Sequence, residues 1–336
     1  MRKLHPHKIR EAVSPAIPAT TGPLTRMWEG NNSSWSDSEK TVWIKTYEGE
    51  TAHKRCMNEL VCSAHTPVLS PKPLHTTPIP ISEQVWAGAW NHVGNISEIW
   101  SPYTWNLHMF QRACATAEQI HRATPPQHLT KSSLTGSASS RAVTRQAQTR
   151  TAGKQSSEAY TATWAQIKNI AEEADTQAEQ HLNPNETPYV WCHGDFHAAN
   201  LYTPTVPHHT EEVGVFDWES SMLAPAEWDI ASLLYTMTCA KTPTNVLAEC
   251  IRTLPDTTIT IVYDSVALKA AYHLSYIMLK RPHAVTAERL ETVMKMQQSS
   301  SSTIRENAPH RAGYSIKKLL TRRCELLTSL PATANI

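Results

Sequence analysis

The sequence predicts an α+β chain in two parts: a small β-rich part with one helix, then a larger and mainly helical part. Three observations carry this expectation. Thr41 to Tyr47 alternates as a strand does, with Val42 and Ile44 on one face and Trp43, Lys45 and Tyr47 on the other. Residues 51 to 65 set Ala52, Cys56, Leu60 and Ala64 along one helical stripe. From about residue 102 the pattern becomes helical, beginning with Phe110, Ala113, Ala117 and Ile120 on one face.

In chain order, residues 1 to 23 read as a short helix and a connector holding Pro15, Pro18 and Pro23, and residues 24 to 47 read as strands. After the first-part helix, Pro67, Pro71, Pro73, Pro78 and Pro80 interrupt regular structure, and Ile81 to Trp90 reads as one strand ended near Gly94. The helix through Ile120 stops at Pro125 and Pro126. Residues 131 to 157 hold mostly Ser, Thr, Ala and Gln, with Lys131, Arg141, Arg145, Arg150 and Lys154 and no acid, the composition of a basic surface insertion. Further helices are expected at Tyr160 to Leu182, around Ile230, Leu233, Leu234 and Met237, and around Val266, Ala270, Leu274 and Ile277. A last one, around Ile316, Leu319, Leu320 and Leu327, follows the Ser run at 299 to 302. There is no internal repeat.

A chain of 336 residues can bury a sizeable core without disulfides. Its net charge of +1 gives no field that would steer it to nucleic acid or an anionic membrane. The basic insertion also lacks the interleaved aromatic residues that stack on bases. Seven scattered Cys without a C-x-x-C pair fit reduced thiols, and Met1 to Arg10 lacks the apolar core of a signal peptide. No stretch approaches 18 apolar residues, so a cytoplasmic protein is expected. The eleven Trp are expected in the core and at the lobe interface.

The chemistry concentrates in two short segments. Residues 191 to 200 read Trp-Cys-His-Gly-Asp-Phe-His-Ala-Ala-Asn, and residues 213 to 219 read Val-Gly-Val-Phe-Asp-Trp-Glu. Asp195 can take a proton from a hydroxyl, Asn200 offers a neutral amide oxygen, and Asp217, at the end of a short expected strand, offers a carboxylate. These are the parts that align an acceptor and hold Mg²⁺ on the phosphates of a nucleotide during phosphoryl transfer. His193 reads as a buried brace for the loop. Upstream, Lys45 sits on the strand and Glu59 follows 14 residues later in the helix, the order in which a Lys meets nucleotide phosphates and a helical Glu holds it. The plainer alternative makes Lys45 a solvated strand residue and Glu59 a surface acid.

On these residues the chain resembles the aminoglycoside phosphotransferase and choline-kinase-like branch of the protein-kinase-like fold. The resemblance is carried by His193-Gly-Asp195 through Asn200, by Phe216-Asp217-Trp-Glu219, and by Pro225-Ala-Glu-Trp-Asp229. Ala117 to His121 extends it weakly, as do Lys45 and Glu59. It implies a two-lobed fold: residues 1–94 as a nucleotide-binding lobe, with an N-terminal extension at 1–23, and residues 95–336 as a catalytic and acceptor-binding lobe with the insertion at 131–157. It further implies ATP or GTP in the cleft, Asp195 as the catalytic base, Asn200 and Asp217 as Mg²⁺ ligands, Lys45 on the phosphates, and Asp229 as a brace of the catalytic loop. The implied activity is transfer of the γ-phosphate to a hydroxyl of a small acceptor. The chain departs from the kinase pattern in having no G-x-G-x-x-G. Its best phosphate cradle is Glu29 to Ser34, with Gly30, Asn31 and Ser33 as the contributing residues. The adenine-contacting backbone is expected near Val85 to Trp90.

Several residues have two readings. Glu219, two after Asp217, would share its face on a strand and could reach a metal's outer shell, or could hydrogen-bond a loop. His197 fits a structural hydrogen bond better than catalysis, and His208 and His209 read as surface residues. Glu172, Glu173, Asp175, Glu179 and Glu186 would suit a cationic acceptor, but a solvated helix face explains them better. Two rival functions stay open: a metal-dependent phosphoesterase using His193, Asp195, His197, His208 and Asp217, and a catalytically silent nucleotide-binding module.

Overall fold

The computed structural model describes residues 5–18, 20, 22–29, 32–91, 96–101, 103–131, 165, 188–204, 212–240 and 242–254. The insertion beyond Lys131, most of the expected helix at 160–182, the acidic residues at 172–186, His208 and His209, Gly30, Asn31 and both helices expected after residue 254 lie outside the described residues. The chain forms two compact units. The first comprises Met1–Trp100, Ala115–Thr130 and Trp191–Leu223, and the second the rest.

In the first unit, strands β1 (Thr25–Glu29), β2 (Ser33–Ser36), β3 (Val42–Glu48), β4 (Ile79–Ser82) and β5 (Val85–Asn91) form an antiparallel sheet in the order β1-β2-β3-β5-β4. Each face carries a helix, because β3 alternates between two apolar sets. Val42 and Ile44 join Trp35, Ile79, Ala87 and Ala89 in a cluster with Ile9 and Val13 of helix α1 (Pro6–Val13) and with Ile17. Trp43, Tyr47 and Trp90 pack instead with Ala52, Cys56 and Leu60 of helix α2 (Ala52–His65). The N-terminal helix is therefore part of the core, and Pro6 at its first turn removes a donor that would have no helical acceptor.

Two sequence expectations need correction. Ile81 to Trp90 is not one strand: β4 and β5 form a hairpin turning at Glu83 and Gln84. The α2 stripe does not extend to Ala64, which is exposed; its buried face is completed by Asn58, Glu59, Cys62 and Ser63. Of these, Glu59 and Asn58 reach the site described below, while Ser63 bonds the carbonyls of Glu59 and Leu60 and the Trp90 indole.

The rest of the first unit frames the two motif segments. Strands β6 (Ile96–Ile99), β8 (Leu201–Pro204) and β9 (Gly214–Val215) form a second antiparallel sheet, and β7 (Val190–Cys192) pairs with β10 (Met222–Ala224). Helix α3 (Leu107–Arg122), which belongs to this unit from Ala115 and to the second unit before it, buries Phe110, Ala113, Ala117 and Ile120, as its periodicity requires. In the second unit, α4 (Glu227–Cys239) buries Leu233, Leu234 and Met237 and packs with α5 (Thr244–Arg252). Trp35, Trp90, Trp191 and Trp218 are all buried, as expected of core residues.

Candidate active site

Lys45 lies in the middle of β3, on the face covered by α2, opposite Gly88 of β5 and Ser34 of β2. A buried ammonium needs partners, and it has three carboxylates. Its Nζ is 2.8 Å from Glu59 Oε2, 2.6 Å from Asp217 Oδ1 and 3.4 Å from Glu219 Oε2. Glu59 also accepts a very short hydrogen bond from the Tyr47 hydroxyl. The oxygens of Glu59, Asp217 and Glu219 lie close enough together to hold a cation, and the protein's own ammonium stands among them. The solvated readings of Lys45 and Glu59 are therefore set aside, since both side chains are almost wholly buried.

The charges push on one another. Burial alone would lower the Lys45 pKa, but attraction to Asp217, Glu59 and Glu219 outweighs it and holds the pKa above its ordinary value. The ammonium stays charged at neutral pH. Glu59 moves the other way. Burial raises its carboxyl to about 7, Lys45 opposes the rise, and Asp217 and Glu219 add to it. Tyr47 is raised by burial and by Glu59, so it remains a donor.

Asp217 is not on a strand. β9 ends at Val215, and Asp217 takes a left-handed conformation (φ 62°, ψ 58°) that starts the 3-10 turn Trp218–Ser220. For a residue with a Cβ this costs about 1–2 kcal/mol, so neighbouring contacts must fix it. The expectation that Asp217 and Glu219 share a strand face therefore fails; the turn brings both to Lys45 instead. Glu219 accepts from Asn32 Nδ2 at 2.7 Å, and Asn32 Oδ1 in turn accepts from Arg55 Nη1 at 3.0 Å. Of its two readings, the loop hydrogen bond is the one observed. Asn32 precedes β2 in the stretch expected to cradle phosphates, and Ser33, the one proposed cradle residue that is described, begins that strand.

The segment 193–200 is held by backbone bonds. His193 is fully buried, its Nε2 donates to Phe216 O at 2.7 Å, and its Nδ1 accepts from Asp195 N at 3.3 Å. Both ring nitrogens are thereby used, which removes His193 from any metal-ligand set and weakens the phosphoesterase reading. Gly194 has φ +88°, and a Cβ there would stand 2.1 Å from Ser220 O, so the loop needs glycine at this point. Asp195 is half-exposed, with its Oδ2 3.3 Å from His197 Nε2. Asn200, in the 3-10 turn Ala198–Asn200, donates Nδ2 to Asp195 O at 2.9 Å and lies 3.5 Å by the same atom from His197 Nε2. Phe216 N donates to Asn200 O at 2.9 Å, which ties the loop to the residue before Asp217. Asp229 is fully buried in the first turn of α4.

Sequence reasoning missed three polar residues here. Arg55, one turn before Glu59 on α2, lies 3.5 Å from Glu219 and donates to Glu48 O at 2.9 Å. Its spacing of four from Glu59 was the available signal. Asn32 was passed over for its neighbours Gly30, Asn31 and Ser33. Asn58 donates to backbone of the 218–221 turn; an Asn inside an amphipathic helix, next to the Glu, was its signal.

Residues 106–258 match the model of a phosphotransferase enzyme family. No curated protein matches the chain in sequence. Among solved structures the chain is similar to a choline/ethanolamine kinase family protein from Mesorhizobium loti, at 16% identity over 97% of this chain and 94% of that one, with a TM-score of 0.51. It is similar to APH(2")-IIIa in complex with GDP and kanamycin, at 10% identity over 88% of this chain and 98% of that one, TM-score 0.58. It is also similar to the amicoumacin kinase hAmiN in complex with AMP-PNP, Ca²⁺ and Ami, at 11% identity over 92% and 90%, TM-score 0.51. At such identities the likeness is one of fold. With a family match across residues 106–258 and an α+β, protein-kinase-like fold, the chain is similar to the aminoglycoside phosphotransferases and choline-kinase-like proteins.

Proposed function

We propose that the protein is a small-molecule kinase that moves the γ-phosphate of ATP or GTP to a hydroxyl of a small acceptor, as aminoglycoside phosphotransferases do. The observation that carries this reading is the buried Lys45–Glu59 pair with Asp217 in reach of the same ammonium. A Lys held this way supplies fixed positive charge to nucleotide phosphates. In this reading residues 1–94 serve the nucleotide, with Gly30, Asn31 and Ser33 around its phosphates, and residues 95–336 serve catalysis and the acceptor.

The donor set fits Mg²⁺. Asp217 offers a partly exposed carboxylate. Asn200 uses Nδ2 for its bond to Asp195 O, which leaves Oδ1 as the atom to offer a cation. Hard oxygen donors, few in number, suit an ion that keeps water and phosphate oxygens in its shell. Bound there, Mg²⁺ would neutralise phosphate charge. Asp195 is the base: its exposed carboxylate takes the hydroxyl proton as the acceptor oxygen bonds to the γ-phosphorus and the bond to the nucleoside diphosphate breaks. His197, beside Asp195 Oδ2, orients that carboxylate. His193 and Asp229 brace the loop.

The test is incubation of wild type and Asp195→Ala with γ-labelled ATP and GTP, Mg²⁺ and pooled acceptors: aminoglycosides, macrolides, choline-like amines, sugars and amino alcohols. Label passing to one pool with wild type alone is the expected result. Nucleotide binding without transfer to any pool would favour the silent module.

A further inference from the structure

We infer that Asn58 is a positioning residue for Asp217, acting through the backbone of the turn that follows it and locked in its own orientation by His128. The inference rests on the reading of Asp217 as a metal ligand. A three-residue 3-10 turn leaves carbonyls at its C-terminal end without helical donors. Here the donor comes from α2. Asn58 Nδ2 lies 2.9 Å from Glu219 O, 3.0 Å from Ser221 O and 3.4 Å from Trp218 O. Carbonyls only accept, so the amide nitrogen must face them and Oδ1 must face away. Oδ1 meets His128 Nε2 at 2.8 Å and Cys62 Sγ at 3.8 Å. An oxygen acceptor there requires His128 to carry its hydrogen on Nε2.

Asn58 and Glu59 are neighbours on one helix and turn to different tasks: Glu59 bonds Lys45, and Asn58 bonds the turn after Asp217. The left-handed conformation of Asp217 is thus fixed on both sides. His193 holds the carbonyl of Phe216 before it, and Asn58 holds the carbonyls of Glu219 and Ser221 after it. Removing the amide releases one side. Asp217 then samples other conformations, and the metal loses a preset ligand while Lys45 keeps its partner Glu59.

The test follows binding of mant-ATP and mant-GTP as Mg²⁺ is titrated, for wild type, Asp217→Ala, Asn58→Ala, His128→Leu and His128→Gln, with a thermal melt of each. Asn58→Ala should raise the Mg²⁺ half-saturation about tenfold, the usual effect of losing a group that orients a metal ligand. Its affinity for nucleotide in EDTA should stay within about twofold of wild type, a split that general loosening of the fold would not give. His128→Leu should raise the half-saturation by a smaller factor, and His128→Gln, which keeps an N–H donor, should restore it. Folded Asn58→Ala with unshifted Mg²⁺ dependence, beside a shifted Asp217→Ala, would overturn the inference alone. If Asn58→Ala does not fold, equal behaviour of the Leu and Gln variants at His128 would overturn it. Unshifted Asp217→Ala, or wild type that binds neither nucleotide, would overturn the underlying reading as well.

Discussion

Asp195 and Lys45 differ in how their surroundings equip them. Lys45 is buried among three carboxylates and is fixed in place and in charge. Asp195 is half-exposed and bonded at its backbone rather than buried at its carboxylate, so the acid can be removed at little structural cost. Asp195→Ala should lower turnover about 10²–10⁴-fold, the contribution of a positioned base, with a melting temperature close to wild type. Turnover within a few fold of wild type would remove Asp195 from the role. That the two motif segments come together was legible in the sequence, because His193, Asp195, Asn200 and Asp217 are compressed into two short stretches. What was not legible is conformational. The left-handed backbone at Asp217 has no sequence mark, since Asp is not the residue usually placed there. Reading it as strand missed the turn that brings both Asp217 and Glu219 to Lys45.

The first sheet was read correctly where it alternates and incorrectly where it turns. β3 announced both its faces, but the β4–β5 hairpin has neither Asn-Gly nor Asp-Gly to mark it, only Glu83 and Gln84, and so passed for one strand. Helix α2 shows the same limit. Its apolar stripe was visible, whereas the burial of Asn58 and Glu59 follows from partners far away in sequence. The stretch before β2 has one glycine, Gly30, in place of the three of a G-x-G-x-x-G loop, and within it the Asn32 side chain bonds both Arg55 and Glu219. Arg55 connects this stretch to α2, and its second nitrogen bonds Glu48 O at the end of β3. Arg55→Ala should therefore loosen the stretch proposed to cradle phosphates and raise KM for the nucleotide roughly fivefold, about 1 kcal/mol for a partly exposed charged hydrogen bond, with kcat changed less. Steady-state kinetics at saturating acceptor would check it; a fall in kcat at unchanged KM would mean that Arg55 acts on chemistry rather than on binding.

The folded protein as a whole carries the cost of the Lys45 cluster, and pH exposes it. None of the described helices is long and apolar enough to cross a membrane, and the net charge is close to neutral, so no large global field masks a local titration. A Glu 2.8 Å from an ammonium would ordinarily ionise more easily. Glu59 does the reverse, because burial comes first and because Asp217 and Glu219 share the same ammonium. Its pKa rises from 4.5 to about 7, so across that interval the folded protein binds a proton that the unfolded chain has released. Stability must then fall as pH rises through this window and become flat, for this group, above it. Lys45 adds no slope there, since it is charged in both states until well into alkaline solution. Glu59→Gln keeps the shape and cannot titrate. The melting temperature of the nucleotide-free wild type should drop between about pH 5 and about pH 7.5 by several degrees more than that of the variant, within an upper limit of about 3 kcal/mol set by the shift. Parallel curves would mean that Glu59 stays ionised throughout and that Lys45 alone offsets both its burial and its two acidic neighbours.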